Sequence, residues 1–370
     1  MKVLVVLSAF RPPSHSFPIG GGEISNRELL EMLAASGHEV VVHAMNAGEH
    51  GWVDQKGMSI IDGGLGKSGA SRKIACWVSG TLKLRKELRS RSCPDVILTS
   101  VGTAGMAARI AARLNVPLGV MVRALRDIEP YQGPVWKRIA KEVVHGRGDW
   151  RDATDLIANS RFIKNRCFRS GYKGTGWVVY PSIDVGESTS SWPSVINSVA
   201  MVGSSPEKGI DTFIELARRI PGIQFRVIGD RGVPAGSVES EGNVTRVGWT
   251  NDPVEQIDQC DVFLMPSKVE EAFGRAAVEA ILRNKLVLCS RIGGLPEAVI
   301  DDLLLVDPLD IDGWHERLFR LIRAPKDFHQ AMANARVSAL AFSLEEQGRN
   351  LENVLHQMIC SYKGRSANEH

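Results

Sequence analysis

An α/β fold in two Rossmann-like domains is what this 370-residue chain predicts. Three observations carry the prediction. The length exceeds what one hydrophobic core organises. Short apolar runs alternate with helical patterns in both halves, as in parallel sheets wrapped by helices. A Ser-rich break at residues 185–195 separates the two series and reads as a linker. A hydrophobic content of 44% and a charged content of 24% fit an ordinary globular protein.

Strands are expected at 3–8, 39–43, 95–99, 117–122, 155–158 and 177–180 in the first half. Gly20-Gly21-Gly22 precedes a helix over 23–36 that Gly37 closes. These glycines open a helix start to phosphate. They do not make a nicotinamide fingerprint: the third glycine of G-x-G-x-x-G is missing, and Val42-His43 stand where an acid would end the second strand. The second half predicts strands at 199–203, 224–229, 244–247, 261–265, 286–289 and 303–306, with helices near 207–219, 273–283, 312–323 and 325–340. A last helix starts at the capping-box-like Ser343-Leu344-Glu345-Glu346. The domain scheme is therefore 1–184, a linker 185–195, 196–342, a helix 343–362 and a disordered tail 363–370. No apolar run is long enough to span a bilayer, and the N-terminus enters its first strand without the pattern of a signal peptide. Cys76, Cys93, Cys167, Cys260, Cys289 and Cys360 lack C-x-x-C spacing. They read as reduced thiols of a cytoplasmic protein, with neither a disulfide framework nor a zinc site.

The chemistry concentrates in Glu271-Ala272-Phe273-Gly274-Arg275-Ala276-Ala277-Val278-Glu279. Pro266-Ser267 breaks the chain after the 261–265 strand, and good helix formers follow from Phe273. Glu271 is then a loop carboxylate at a strand's C-terminal end, and Glu279 lies one to two turns into the next helix. The helix's free N–H groups between them favour an anion, and Gly274 permits close approach to the backbone. Such a layout suits a phosphorylated ligand with hydroxyls at both ends. The plainer alternative is a solvated loop glutamate and a surface-helix glutamate.

The stretch resembles the E-x7-E signature of retaining glycosyltransferases of the GT-B fold, family 4, also called glycosyl transferases group 1. Other segments extend the resemblance over nearly the whole chain: Ser290-Arg291-Ile292-Gly293-Gly294-Leu295-Pro296-Glu297, Glu207-Lys208-Gly209, Asp155-Leu156-Ile157-Ala158-Asn159-Ser160 and Val178-Val179-Tyr180-Pro181-Ser182-Ile183-Asp184. It implies two Rossmann-like domains facing each other across a cleft, with the C-terminal helix crossing back to the N-terminal domain. It implies a nucleoside-diphosphate sugar as donor substrate, no cofactor and no metal, and retention by front-face attack without a protein nucleophile.

Roles follow residue by residue. Glu279 is expected to accept from the donor's ribose hydroxyls, and Glu271 to hold the sugar with the amides of Phe273 and Gly274. Lys208, the start of the 273–283 helix and Gly21-Gly22 are expected at the diphosphate, where a cation stabilises the leaving group. Gly293-Gly294 is expected to let its loop approach the sugar, and Glu297 is either a donor contact or the first acid of a helix. Asp310-Ile311-Asp312 is the only Asp-x-Asp, and Asp312 reads as a helix N-cap.

Two departures stand out. Many relatives carry Gly-Arg where this chain has Gly203-Ser204, so a diphosphate arginine is missing; Arg275, Arg231 and Arg123 are the candidates to replace it. The segment Met121-Val122-Arg123-Ala124-Leu125-Arg126-Asp127 lacks the histidine many relatives place near the sugar. Both leave open a non-catalytic or degenerate sugar-nucleotide-binding subunit as the alternative to an enzyme.

Charge is unevenly divided. Residues 1–184 hold 26 Lys and Arg against 16 Asp and Glu, and the remainder holds 19 against 26. Seven basic residues fall within 71–91: Arg72, Lys73, Lys83, Arg85, Lys86, Arg89 and Arg91. One reading is an ordinary helix packed on the sheet with solvated charges. The other is a basic face for anionic membrane headgroups or a lipid-linked acceptor. Saccharide, lipid-linked and small-molecule acceptors all stay open, whereas nucleic acid is disfavoured by the acidic second half. The segments that would choose the acceptor, 45–75 and 123–150, carry no readable motif.

Overall fold

The computed structural model describes residues 1–10, 20–46, 57–62, 84, 93–129, 149–184, 186, 191–250 and 252–368. The basic stretch 71–91, apart from Leu84, and much of 45–75 and 123–150 lie outside the described residues. The chain divides into two compact units, one formed by Met1–Ser182 with Leu344–His370, the other by Ile183–Ser343. The described part of the expected linker thus counts with the second unit, where Trp192 packs its ring 5.5 Å from that of His329.

The first unit is built on a seven-stranded parallel sheet in the order β3-β2-β1-β4-β5-β6-β7. Its strands are β1 (Lys2–Leu7), β2 (Glu39–Ala44), β3 (Met58–Asp62), β4 (Val96–Ser100), β5 (Leu118–Val122), β6 (Asp155–Ala158) and β7 (Thr175–Val178). Near-continuous apolar runs such as Val3 to Leu7 are buried on both faces, as a helix-covered parallel sheet requires. Among the described residues, three helices follow strands: α1 (Gly21–Ala35) after β1, α2 (Ala104–Leu114) after β4 and α3 (Arg161–Arg169) after β6, the last capped by the Ser160 hydroxyl on the Ile163 amide.

The second unit repeats the plan with seven strands in the order β10-β11-β9-β8-β12-β13-β14. They are β8 (Ser198–Val202), β9 (Gln224–Ile228), β10 (Val238–Glu241), β11 (Val244–Val247), β12 (Val262–Met265), β13 (Leu286–Ser290) and β14 (Leu305–Val306). Only β10 runs antiparallel, against β11. Its residues Val238-Glu239-Ser240-Glu241 are all exposed, so this edge strand has no buried face and no apolar signature. The helices are α4 (Ile210–Arg219), α5 (Pro253–Asp258), α6 (Arg275–Leu282), α7 (Leu295–Val299), α8 (Ile311–Arg323) and α9 (His329–Ala339). The N-cap of α8 is Asp310, whose side chain accepts from the Gly313 amide at 2.8 Å. This corrects the expectation for Asp312, which sits in the first turn and pairs with Arg219.

The last helix, α10 (Leu344–Asn368), belongs to the first unit. Its Leu351, Val354, Leu355 and Met358 join the core that Leu29, Leu30 and Leu33 of α1 form with β1, β2 and β4. Polar contacts fix its register: Gln347 accepts from the Tyr180 amide at 2.8 Å, and Asn350 donates to the Val178 carbonyl at 3.0 Å. A Cβ on Gly119 of β5 would lie 2.9 Å from Met358 Cε, so this strand glycine makes room for the helix. The helix continues to Asn368, past the expected end at 362. Lys363 and Arg365 place cations where the helix dipole favours them.

Candidate active site

In the second sheet the strand order turns between β8 and β12, which lie side by side. The crevice past the C-terminal ends of such a strand pair is where open α/β sheets take their ligands. After β8 the chain runs through Gly203 and Ser204 into a 3₁₀ turn, Pro206–Lys208, closed by Gly209 at φ +78°. A Cβ at Gly209 would stand 1.9 Å from the Pro266 carbonyl oxygen. Only glycine lets this loop touch the one that follows β12. The Lys268 amide adds a bond to the Glu207 carbonyl at 2.8 Å.

That contact delivers Lys208 to Glu271. Lys208 Nζ lies 2.6 Å from Glu271 Oε1, and the Ser267 hydroxyl donates to the same oxygen at 2.7 Å. Ser267 is fully buried, while the Lys208 and Glu271 side chains are 38% and 16% exposed. The ammonium therefore keeps access to a ligand while it balances the carboxylate.

Main-chain packing holds Glu271 from the other side. The Gly294 amide donates to the Glu271 carbonyl at 2.8 Å. A Cβ on Gly293, at φ +61°, would lie 2.5 Å from that carbonyl oxygen, and one on Gly294 would lie 2.4 Å from the Ala272 carbonyl oxygen. Gly274, at φ +113°, faces Leu295 Cδ2, 2.5 Å from where its Cβ would be. The room these three glycines make, expected to serve an approaching ligand, is filled by the chain itself.

α6 begins immediately after. The Phe273 ring is buried against Phe342, ring centroids 4.9 Å apart, so its side chain is part of the core and not a ligand contact. Glu279 is buried, and its Oε1 accepts from Arg275 Nε at 2.7 Å. Arg275 puts a cation in the first turn of α6, a place the helix dipole disfavours, and Glu279 one turn on compensates it.

The three candidates for the missing arginine part ways. Arg275 is engaged with Glu279. Arg123 lies in the first unit, buried, with Nε on Asn26 Oδ1 and Nη1 on the Val179 carbonyl, each at 2.8 Å; burial brings its pKa down to about 10. Arg231 is exposed, and its amide donates to the Ser204 hydroxyl at 3.2 Å. Its charge also reaches Glu207, whose carboxyl lies below the usual range through its own amide and Ser205 first, and Arg231 last. Arg231 is the candidate beside the gap at Ser204.

Two participants carried no sequence signal. Asp230 is buried and takes Arg246 Nη1 at 2.6 Å. Burial alone would raise its carboxyl, but the Gly232 amide, Arg246 and the Ser204 hydroxyl hold it below the usual range. Ser267 was visible only as a chain break beside a proline, because its role lies in a side-chain direction. Glu297 sits half-buried in the first turn of the five-residue α7. Gly21 and Gly22 open α1 in the first unit, whose N-cap Gly20 contributes no side-chain bond. Among the described residues no group of three His, Cys, Asp or Glu is placed to hold a metal, and no helix is long and apolar enough to cross a membrane.

Residues 196–338 match the family described as glycosyl transferases group 1, and residues 20–182 match the glycosyl transferase 4-like domain. It carries the two domains of a glycosyltransferase. A protein of the cps region of Klebsiella pneumoniae is 22% identical over 87% of this chain and 96% of its own length. A D-inositol 3-phosphate glycosyltransferase of Segniliparus rotundus is 31% identical, over 38% of this chain and 35% of its own. Among solved structures, the sucrose-phosphate synthase of Thermosynechococcus elongatus superposes with a TM-score of 0.73 at 17% identity, covering 98% of this chain and 100% of that one. The Anabaena protein HepE, solved with UDP and glucose, gives 0.70 at 18% identity over 96% and 99%. The glycosyltransferase thus shares the GT-B fold of these neighbours.

Proposed function

We propose that this glycosyltransferase moves a sugar from a nucleoside-diphosphate sugar to an acceptor hydroxyl with retention of anomeric configuration. The observation that carries the reading is the meeting of Lys208 and Glu271 past β8 and β12, the two strands at which the second sheet turns. A cation for a departing diphosphate and a carboxylate for sugar hydroxyls stand in contact, inside the segment that matches glycosyl transferases group 1. The bond between the anomeric carbon and the phosphate oxygen breaks with its electron pair going to the diphosphate. Lys208 and the α6 amides stabilise the charge that grows there. The acceptor oxygen bonds to the same face of the anomeric carbon, and its proton leaves with the diphosphate. Glu279 holds the ribose, and Arg231 supplies the second positive charge. No metal enters this scheme.

The donor is identified by a thermal-shift panel of UDP-, GDP-, ADP- and TDP-sugars, since a ligand that binds the folded state raises its melting temperature. NMR of the anomeric product then reads retention directly. Binding without turnover of any donor would make the protein a sugar-nucleotide-binding subunit. For the acceptor, sedimentation with anionic vesicles at low and moderate salt tests the basic stretch 71–91: attraction that fades with salt supports a lipid-linked acceptor, and no attraction supports a water-soluble one.

A further inference from the structure

We infer that Ser267 is a positioning residue that decides which oxygen of Glu271 meets the donor sugar; the inference rests on the glycosyltransferase reading above. Lys208 Nζ and Ser267 Oγ both bond to Glu271 Oε1, at 2.6 and 2.7 Å. Among the described residues nothing bonds to Oε2. Because an ionised carboxylate only accepts, the buried Ser267 hydroxyl is the donor, and with no solvent beside it Glu271 is its partner. One carboxylate oxygen is therefore fully engaged, and the other is presented to a ligand hydroxyl.

The two donors to Oε1 are not equivalent. Lys208 is the longer side chain, more than a third exposed, and the diphosphate competes for its ammonium. When the ammonium turns toward phosphate, its hold on Oε1 weakens. Ser267 has one χ angle, stays buried and has no other task, so it keeps the carboxylate in place through donor binding and reaction. The rest of the surroundings agree. Gly293 and Gly294 clamp the Glu271 main chain, and the pKa of the buried Cys289 thiol is pushed up by burial and then by the Glu271 charge. That thiol stays neutral and competes for nothing. Backbone and one oxygen are both fixed, which leaves Oε2 as the free end. A site held this closely is what precise orientation of a reacting sugar demands.

The experiment is a double-mutant cycle on donor turnover with Ser267→Ala, Ser267→Thr, Glu271→Ala and Ser267→Ala/Glu271→Ala, alongside calorimetric Kd values for the bare nucleoside diphosphate. Losing a hydrogen bond to a charged group predicts a kcat about tenfold lower in Ser267→Ala. The Kd of the nucleoside diphosphate stays unchanged, and Ser267→Thr recovers most of the loss. In the Glu271→Ala background, adding Ser267→Ala leaves residual donor hydrolysis within about twofold, because a residue that acts through Glu271 has nothing left to position. If Ser267→Ala does not fold, Ser267→Cys replaces it under the same criteria. A wild-type kcat in Ser267→Ala, a further tenfold loss on top of Glu271→Ala, or a nucleotide Kd that weakens in step with kcat each overturns the inference while the glycosyltransferase reading stands. A wild type that turns over no nucleotide sugar overturns both.

Discussion

Two helix starts in this molecule carry glycine and use it in opposite ways. At α1, in the first unit, a Cβ on Gly20 would meet nothing within 4 Å, and the helix has no side-chain cap. At α6, in the second unit, Gly274 is pressed by Leu295, and the neighbouring Gly293 and Gly294 are pressed by the main chain of Glu271 and Ala272. The first start is open at Gly20, although a Cβ on Gly22 would lie 3.0 Å from Arg123 Cβ. The second is filled, and its glycines serve to fix a carboxylate. Glycine in a sequence thus marks close approach without telling whether a ligand or the chain itself approaches. The comparison predicts that substitutions at the filled start are severe and one at Gly20 mild.

The largest effect belongs to the pair the filled start supports. Lys208→Ala should cost about 2–4 kcal/mol of transition-state stabilisation, by analogy with a lost oxyanion donor. It removes one of few cations near the gap at Ser204, so Ser204→Arg should recover part of the loss. Kinetics of the single and double variants check this; a drop in kcat/KM under about threefold would move the diphosphate to other groups, with Arg231 first. If Glu271 holds a sugar hydroxyl as the anomeric centre opens, Glu271→Ala should lower kcat in a comparable way.

Next comes Gly293→Ala. At φ +61°, with the Glu271 carbonyl oxygen 2.5 Å from the new methyl, it should cost about 1–3 kcal/mol of stability and displace Glu271. Chemical denaturation and kcat should fall together. Retained wild-type stability would show that the loop has room it does not display here.

Glu279 offers a smaller and separable effect. If it holds the ribose alike in ground and transition states, Glu279→Gln should raise the donor KM about tenfold with little change in kcat. Glutamine keeps a carbonyl oxygen for Arg275, so stability should change less than in Glu279→Ala, which takes a carboxylate away from a largely buried guanidinium. A kcat that falls with KM unchanged would place Glu279 at the reacting sugar and away from the ribose.

Much of the architecture was legible where a parallel strand is buried: β6, buried along its whole length, falls at the expected residues, 155–158. What escaped was whatever lacks a buried face, such as exposed β10, or depends on which neighbour a side chain turns to. Glu271, Lys208 and Glu279 could be nominated from spacing after strands, whereas the bond of Ser267 to Glu271 within one loop depends on side-chain direction, and that of Asp230 to Arg246 joins a loop to β11. The C-terminal cap of α7 is similar: Ile300 takes φ 52°, a conformation that a β-branched residue gives no reason to expect.

The smallest predicted effect tests the open start. Gly20 already has the extended backbone of an N-cap, φ −74° and ψ 150°, and lacks only a side-chain acceptor for the first-turn amides. Gly20→Ser supplies one and also reduces the freedom of the unfolded chain, so stability should rise by about 0.5–1 kcal/mol. The empty space around its Cβ means that no packing opposes the gain. If a donor phosphate uses the α1 amides, the same hydroxyl competes for them and the donor KM should rise about two- to threefold, the cost of one shared hydrogen bond. Thermal denaturation and donor kinetics on the one variant read both quantities. A higher melting temperature with unchanged KM would remove the start of α1, and with it Gly21 and Gly22, from the donor site, and would assign phosphate recognition to Lys208 and α6 alone.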